Sequence, residues 1–182
     1  ALGIVWYALR PPEGADILLD DSAMLTLTSS AFEQNGLIPP EYTCDGDRGV
    51  NPPLTFSGVP ERSAALALVM DDPDIPQVFK DERGIDSFDH WVLFNMPPST
   101  KGIGEGETAP GVLGVNGAGK NAYTGPCPPP EYEPREHRYV FRLYVLDAPL
   151  ALSEGATKAE VLSAMEEHIL ETAELTGRYS RK

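Results

Sequence analysis

The sequence predicts a mainly β protein: a two-layer antiparallel sandwich with proline- and glycine-rich loops and one α-helix near the C-terminus. Short apolar runs recur at residues 24–28, 54–57, 64–70, 91–96 and 138–146, while 17 Gly and 18 Pro crowd the stretches between them. Only one segment combines helical spacing with a start signal. Several strands followed by a single late helix argue against an alternating β/α architecture. A chain of 182 residues fits one domain large enough to bury a core.

Residues 1–9 are nearly uniformly apolar but about half as long as a membrane span requires. With the Arg10-Pro11-Pro12-Glu13-Gly14 hinge behind them, residues 1–23 read as an N-terminal extension, either a docking segment or the remnant of a removed signal or anchor. The folded domain is assigned to residues 24–182. The compartment stays open: cytoplasmic, or extracytoplasmic if that remnant reading holds. Met24, Leu25 and Leu27 among threonines make the first strand. Between residues 36 and 60, prolines at 39, 40, 52, 53 and 60 block a helix and allow only short or edge strands such as 54–57. Residues 64–70 form a continuous apolar run bounded by charge and proline, as a buried strand does, and residues 91–96 repeat the pattern.

The longest strand is expected at 138–146. Tyr139, Phe141, Leu143 and Val145 fall on one face, with Arg138, Val140, Arg142 and Tyr144 on a partly wet one. Thr157-Lys158-Ala159-Glu160 is a capping box, and Val161, Leu162, Met165, Ile169 and Leu170 follow at helical spacing. Gly177 is read as the helix stop.

Twenty-eight acidic against 14 basic residues leave a net charge of -14, which repels phosphate backbones and argues against a nucleic-acid partner. Two cysteines exclude a disulfide-dense scaffold and a four-thiolate zinc site. Cys44 and Cys127 are left either bridged or as two separate thiols. Gly114-Val115-Asn116-Gly117-Ala118-Gly119-Lys120 has P-loop spacing, but Asn121 stands where a P-loop needs Ser or Thr. The Tyr123-Thr124-Gly125-Pro126 run that follows cannot continue as a helix, so the glycines read as a loop that needs positive φ.

Three polar segments carry the chemistry. Asp71-Asp72-Pro73-Asp74 ends one apolar run, Asp89-His90-Trp91 opens the next, and Gly125-Pro126-Cys127-Pro128-Pro129-Pro130 precedes His137-Arg138-Tyr139 at the head of the longest strand. Each alone reads as ordinary structure, a capped turn or a satisfied histidine. Together at one end of a sheet they make a small pocket with a rigid proline rim whose Gly125 and Cys127 amides face a ligand. Such a set can ligate a metal, perform acid/base chemistry or bind a small polyoxygen anion. No histidine pair at i, i+4 and no oxygen-rich loop supports a metal, and no G-x-S-x-G elbow supports a serine nucleophile. Anion binding asks least of these groups, since imidazole, phenol and backbone donors suffice.

The blocks LALVMDDPDIP (66–76), FDHWVLFNMP (88–97), GPCPPP (125–130) and HRYVFRLYVLD (137–147) resemble the phosphatidylethanolamine-binding protein family, in particular its bacterial and archaeal Raf-kinase-inhibitor-like branch. IPPEYTCDG (38–46), NPPLTFSGVP (51–60) and residues 155–179 extend the resemblance to about residues 24–180. It implies a Greek-key-type β-sandwich of two antiparallel sheets with a cavity for phosphate or phosphorylethanolamine-like headgroups, no cofactor and no catalysis. By position it assigns Asp72, His90, Gly125, His137 and Tyr139 to that cavity, with Asp74, Pro126 and Pro128 lining it. Among partners it implies lipid headgroups, kinase pathways, serine proteases and a second copy in a homodimer. A hydrolase or isomerase using His90 and His137 as acid and base is the rival reading. Two departures from the family pattern stand out: residues 115–119 lack its usual polar–aromatic segment, and the acidic stretch 131–136 favours a zwitterion whose ammonium meets a carboxylate.

Overall fold

The structure, a computed structural model, describes residues 24–47 and 49–181. The expected N-terminal extension at 1–23 lies outside them. In chain order the elements are β1 (Thr26–Thr28), β2 (Gly36–Leu37), β3 (Leu54–Ser57), β4 (Ala65–Asp72), α1 (Gln77–Arg83), β5 (Phe88–Met96), β6 (Gly102–Ile103), β7 (Val112–Leu113), β8 (Glu136–Leu146), α2 (Lys158–Met165) and β9 (Ile169–Ser180). They form a three-stranded sheet, β1-β3-β6, facing a six-stranded sheet, β2-β9-β8-β4-β5-β7. Every pairing is antiparallel except that of the two-residue β2 with β9.

β4 explains why residues 64–70 carry no alternation. All eight of its residues are buried: Leu66, Leu68 and Met70 pack between the sheets with Phe56, Phe141 and Leu143. Ala65 and Ala67 point the other way, under Val161 and Met165 of α2. A strand covered on both faces is apolar throughout. β8 lacks such cover near Arg142, and its alternation matches the expected faces, with Tyr139, Phe141, Leu143 and Val145 inside.

The C-terminal reading needs correction. The Thr157–Glu160 capping box is present, with Thr157 accepting from the Glu160 amide, but α2 ends at Met165 and a 3-10 turn, Glu166–His168, leads into β9. Ile169 and Leu170, counted as helical, begin a twelve-residue strand that pairs with β8 from Leu146↔Ile169 to Glu136↔Ser180. Burial at Ala173, Leu175, Gly177 and Tyr179 has period two, and the long pairing overrides the local helical pattern. Gly177 is therefore no helix stop. It sits mid-strand, where a Cβ would come within 2.5 Å of Ile38 Cγ1 and 2.8 Å of Phe32 Cε2. Gly177→Ala is expected to lower stability by about 1–3 kcal/mol through overpacking, read as a lower midpoint of urea unfolding.

α1 was not foreseen. It begins after Pro76 and closes on Gly84 at φ 64°, the left-handed conformation that favours glycine there. None of its residues is buried. The prolines between 36 and 60 exclude an α-helix as expected, yet Pro40 opens a 3-10 turn, Pro40–Tyr42, a position where a missing N–H costs nothing.

Candidate functional site

Asp72 is the last residue of β4 and His137 the second of β8, so neighbouring antiparallel strands deliver them to the same end of the sheet. His137 Nδ1 donates to Asp72 Oδ2 at 2.6 Å. Asp72 Oδ1 accepts the Asp74 amide across the Pro73 turn at 2.8 Å, so both carboxylate oxygens are engaged. The pair is buried, at 3% and 0% exposure. With Nδ1 tied, Nε2 is the nitrogen left for a ligand, and it is buried without a hydrogen-bond partner among the described residues. An unsatisfied buried polar atom costs about 1–3 kcal/mol, which a ligand can return.

His90, within β5 and 4% exposed, is held the same way. Its Nδ1 donates to the Thr124 carbonyl at 2.7 Å, and the Thr124 amide donates to the His90 carbonyl at 2.9 Å. Asn116 secures Thr124 from behind, its Nδ2 donating to Thr124 Oγ1 and to the Ala122 carbonyl, both at 2.8 Å. The P-loop-like stretch is thus a buttress. Among its glycines only Gly119 has positive φ, 74°, whereas a Cβ on Gly117 would strike the Phe88 ring at 2.7 Å.

Burial holds the His90 ring below the ordinary histidine range, against the opposing pull of the Thr124 carbonyl and then Asp72. The folded ring therefore stays neutral at pH values where the unfolded one, with its ordinary value of 6.5, takes up a proton. Its contribution to stability is complete above about pH 6.5 and is lost as the pH falls below that. Unfolding free energies at pH 7.5 and 5.5 are expected to differ more in the wild type than in His90→Gln; equal slopes would refute this.

Tyr139 of β8 is fully buried beneath both imidazoles, edge-on to His90 at 5.2 Å and stacked toward His137 at 6.4 Å. Burial first, then the Asp72 charge, keeps its phenol protonated. The rim is pinned by a disulfide between Cys44 and Cys127. The Cys44 amide also donates to the Pro126 carbonyl at 3.0 Å. Gly125 lies so close to the Tyr42–Thr43 backbone that a Cβ would sit 2.7 Å from the Tyr42 oxygen. Among the described residues neither Gly125 nor Cys127 donates its amide to a backbone carbonyl, and the Cys127 amide lies against the Tyr139 phenol.

These elements enclose a cavity of about 300 Å³. Of the residues expected there, Asp72, His90, Gly125, Pro128 and His137 border it, and Tyr139 supports the two rings from below. Asp74 and Pro126 do not border it. Asp74 grips Arg138, whose Nε and Nη2 each lie 2.7 Å from a carboxylate oxygen, and this contact holds its carboxyl below the usual range. Pro126 is buried against the disulfide loop. The acidic stretch 131–136 adds no carboxylate to the wall, since Glu133 pairs with Arg135 and Glu136 with Arg178. The sequence reading missed the outer wall, where Ile75, Phe79, Arg83 and Ile85 stand on or beside α1. The i, i+4 spacing of Phe79 and Arg83 between Pro76 and Gly84 was the available signal.

The chain matches the phosphatidylethanolamine-binding protein family over residues 28–180. It is 44% identical over 163 residues to a UPF0098 protein of Methanothermobacter thermautotrophicus, covering 86% of this chain and 99% of that one. A UPF0098 protein of Chlamydia muridarum is 43% identical over 157 residues, covering 86% and 99%. Among solved structures, a phosphatidylethanolamine-binding protein homologue of Chlamydia trachomatis superposes with TM-score 0.80 at 40% identity, over 88% of this chain and all of that one. Escherichia coli YbcL shares the fold, with TM-score 0.75 at 24% identity over 88% of this chain and all of YbcL. The matched span takes in both sheets and every residue that borders the cavity, and the chain belongs to the phosphatidylethanolamine-binding protein family, in its bacterial and archaeal branch.

Proposed function

We propose that this chain is a non-enzymatic binding and regulatory protein whose cavity holds a phosphate- or phosphorylethanolamine-type group. The observation that supports this most is the pair of buried imidazoles, each tied at Nδ1, bordering one cavity. With the His90 ring neutral, its Nε2 accepts a hydrogen bond from a protonated phosphoryl oxygen or an ammonium, and the Gly125 amide donates to a remaining oxygen. The walls are poor in nucleophiles: Cys127 is held in the disulfide and the Thr124 hydroxyl accepts from Asn116. That composition suits holding a ligand better than cleaving one.

Calorimetric titration with inorganic phosphate and with phosphorylethanolamine tests the reading. Saturable binding is expected in the wild type, with affinity reduced about tenfold or more in His90→Ala, a loss in line with one hydrogen bond to a charged group. The ligand should be recovered intact. Ligand turnover that His90→Ala abolishes would replace this reading with acid–base catalysis. The regulatory part of the proposal, inhibition of a serine protease or modulation of a signalling partner, is an expectation that family membership alone supports. Unchanged chymotrypsin-like and subtilisin-like activity under excess protein would remove the first of these.

A further inference from the structure

The cavity has two unlike halves. The inner half carries Asp72, the two imidazoles and the backbone of Thr124–Gly125. The outer half comes from the connection between β4 and β5, where Ile75, Phe79 and Ile85 face Phe88 and Pro128 with Arg83 beside them. α1 buries none of its residues in the core; Phe79 meets the Tyr132 ring edge-on at 5.2 Å, and Ile75, Phe79 and Ile85 all border the cavity while remaining outside the core. Phe79 and Arg83 are one helical turn apart, which puts both on one face of α1.

Among the described arginines, Arg83 and Arg62 are the two without an ion pair, and of these Arg83 borders the cavity. Arg135, Arg138, Arg142, Arg178 and Arg181 are each ion-paired. Arg83 has no side-chain hydrogen bond or ion pair among the described residues, although Asp81, Glu82 and Asp86 are close in sequence and the chain carries 28 acids. Among the described residues it is also the only Lys or Arg that borders the cavity. Arg83 is exposed at the border of the cavity, and a guanidinium is a planar fork that matches phosphoryl oxygens.

We infer that Arg83 is a ligand-binding residue that sets the specificity of the cavity for a phosphomonoester carrying a short apolar substituent. The inner half and the guanidinium take the phosphoryl group, and Phe79, Ile85 and Phe88 take the substituent. About 300 Å³ is the small end of the range for ligand cavities, which limits the substituent to a few carbons. This inference rests on the reading of the cavity as a phosphoryl site.

The test compares inorganic phosphate with n-butyl phosphate by calorimetry, in the wild-type protein and in Arg83→Gln, Arg83→Lys and Phe79→Ala. Butyl phosphate is expected to bind about tenfold more tightly than inorganic phosphate to the wild type, by burial of its alkyl chain. Arg83→Gln should weaken butyl phosphate about tenfold, the usual scale of one charge-assisted hydrogen bond, with Arg83→Lys recovering part of it. Phe79→Ala should erase the preference for butyl phosphate while leaving inorganic phosphate nearly unchanged. Because α1 packs no core residue, all three variants should unfold within about 2 °C of the wild type. Wild-type affinity in Arg83→Gln, or equal affinity for the two phosphates, would overturn this inference while the phosphoryl site stands. If the wild type binds neither, both readings fall.

Discussion

His137→Leu is expected to cost about 3–5 kcal/mol of folding stability and to abolish phosphate binding, the larger of the two strongest effects foreseen here. The replacement leaves Asp72 buried at 3% exposure, with only the Asp74 amide as a partner. A carboxylate stripped of its buried partner pays for desolvation without the compensating contact. The reciprocal change differs in kind, because Asp72→Asn still offers His137 Nδ1 an acceptor. Its expected cost is about 1–2 kcal/mol. The double variant should be more stable than the sum of the two losses, since no charge is then stranded. Urea unfolding of all four proteins gives the coupling directly. A His137→Leu protein within about 1 kcal/mol of the wild type would mean that the pair is not the structural floor of the site.

Opening the Cys44–Cys127 disulfide is expected to cost about 2–4 kcal/mol, the usual range for a native bridge. The bridge spans 83 residues of sequence, a long loop whose closure strongly limits the unfolded chain. For a chain of 182 residues that loss corresponds to a fall of roughly 5–15 °C in Tm. The effect should also reach the cavity, because Cys127 borders it and the bridge fixes its rim against the 3-10 turn at Pro40–Tyr42. Calorimetric scans of the reduced wild type and of Cys44→Ser/Cys127→Ser should agree with each other, and both should unfold below the oxidised wild type by that amount. A reduced protein with the oxidised Tm would show that backbone contacts such as Cys44 N–H to Pro126 O suffice.

Much of this architecture was legible because its causes are local. β4 and β8 announce themselves by a doubly covered apolar run and a half-wet alternation. The Asp72-Pro73-Asp74 turn announces itself because proline and aspartate leave few alternatives there. The boundary between α2 and β9 was not legible. Ile169 and Leu170 continue the helical spacing of the capped segment, and only pairing with β8, remote in sequence, pulls them into a strand. Gly177 illustrates the same limit, since its meaning lies in the approach of Ile38 and Phe32.

In the site, the chemistry-bearing residues were visible as types, but their division of labour was not. Asp72 and Asp74 look equivalent in sequence, yet one grips a buried histidine and the other an arginine at the surface. Asn116 looked like part of a nucleotide-loop decoy, and its role depends on Thr124 and Ala122 folding over it. The two cysteines left their pairing open because a disulfide is decided by distance, here 5.3 Å between Cα atoms, and not by spacing along the chain.

The chain has three histidines, and they provide an internal control for the central claim. His90 and His137 border the cavity, whereas His168 pairs with Asp147 outside it. Histidine-ring NMR during a titration with phosphorylethanolamine reads all three at once. The expected result is that the Nε2 signals of His90 and His137 shift along one saturating curve while His168 stays fixed. Saturable binding with both cavity rings unmoved would contradict the claim that the buried imidazole pair is what this protein uses to hold its ligand.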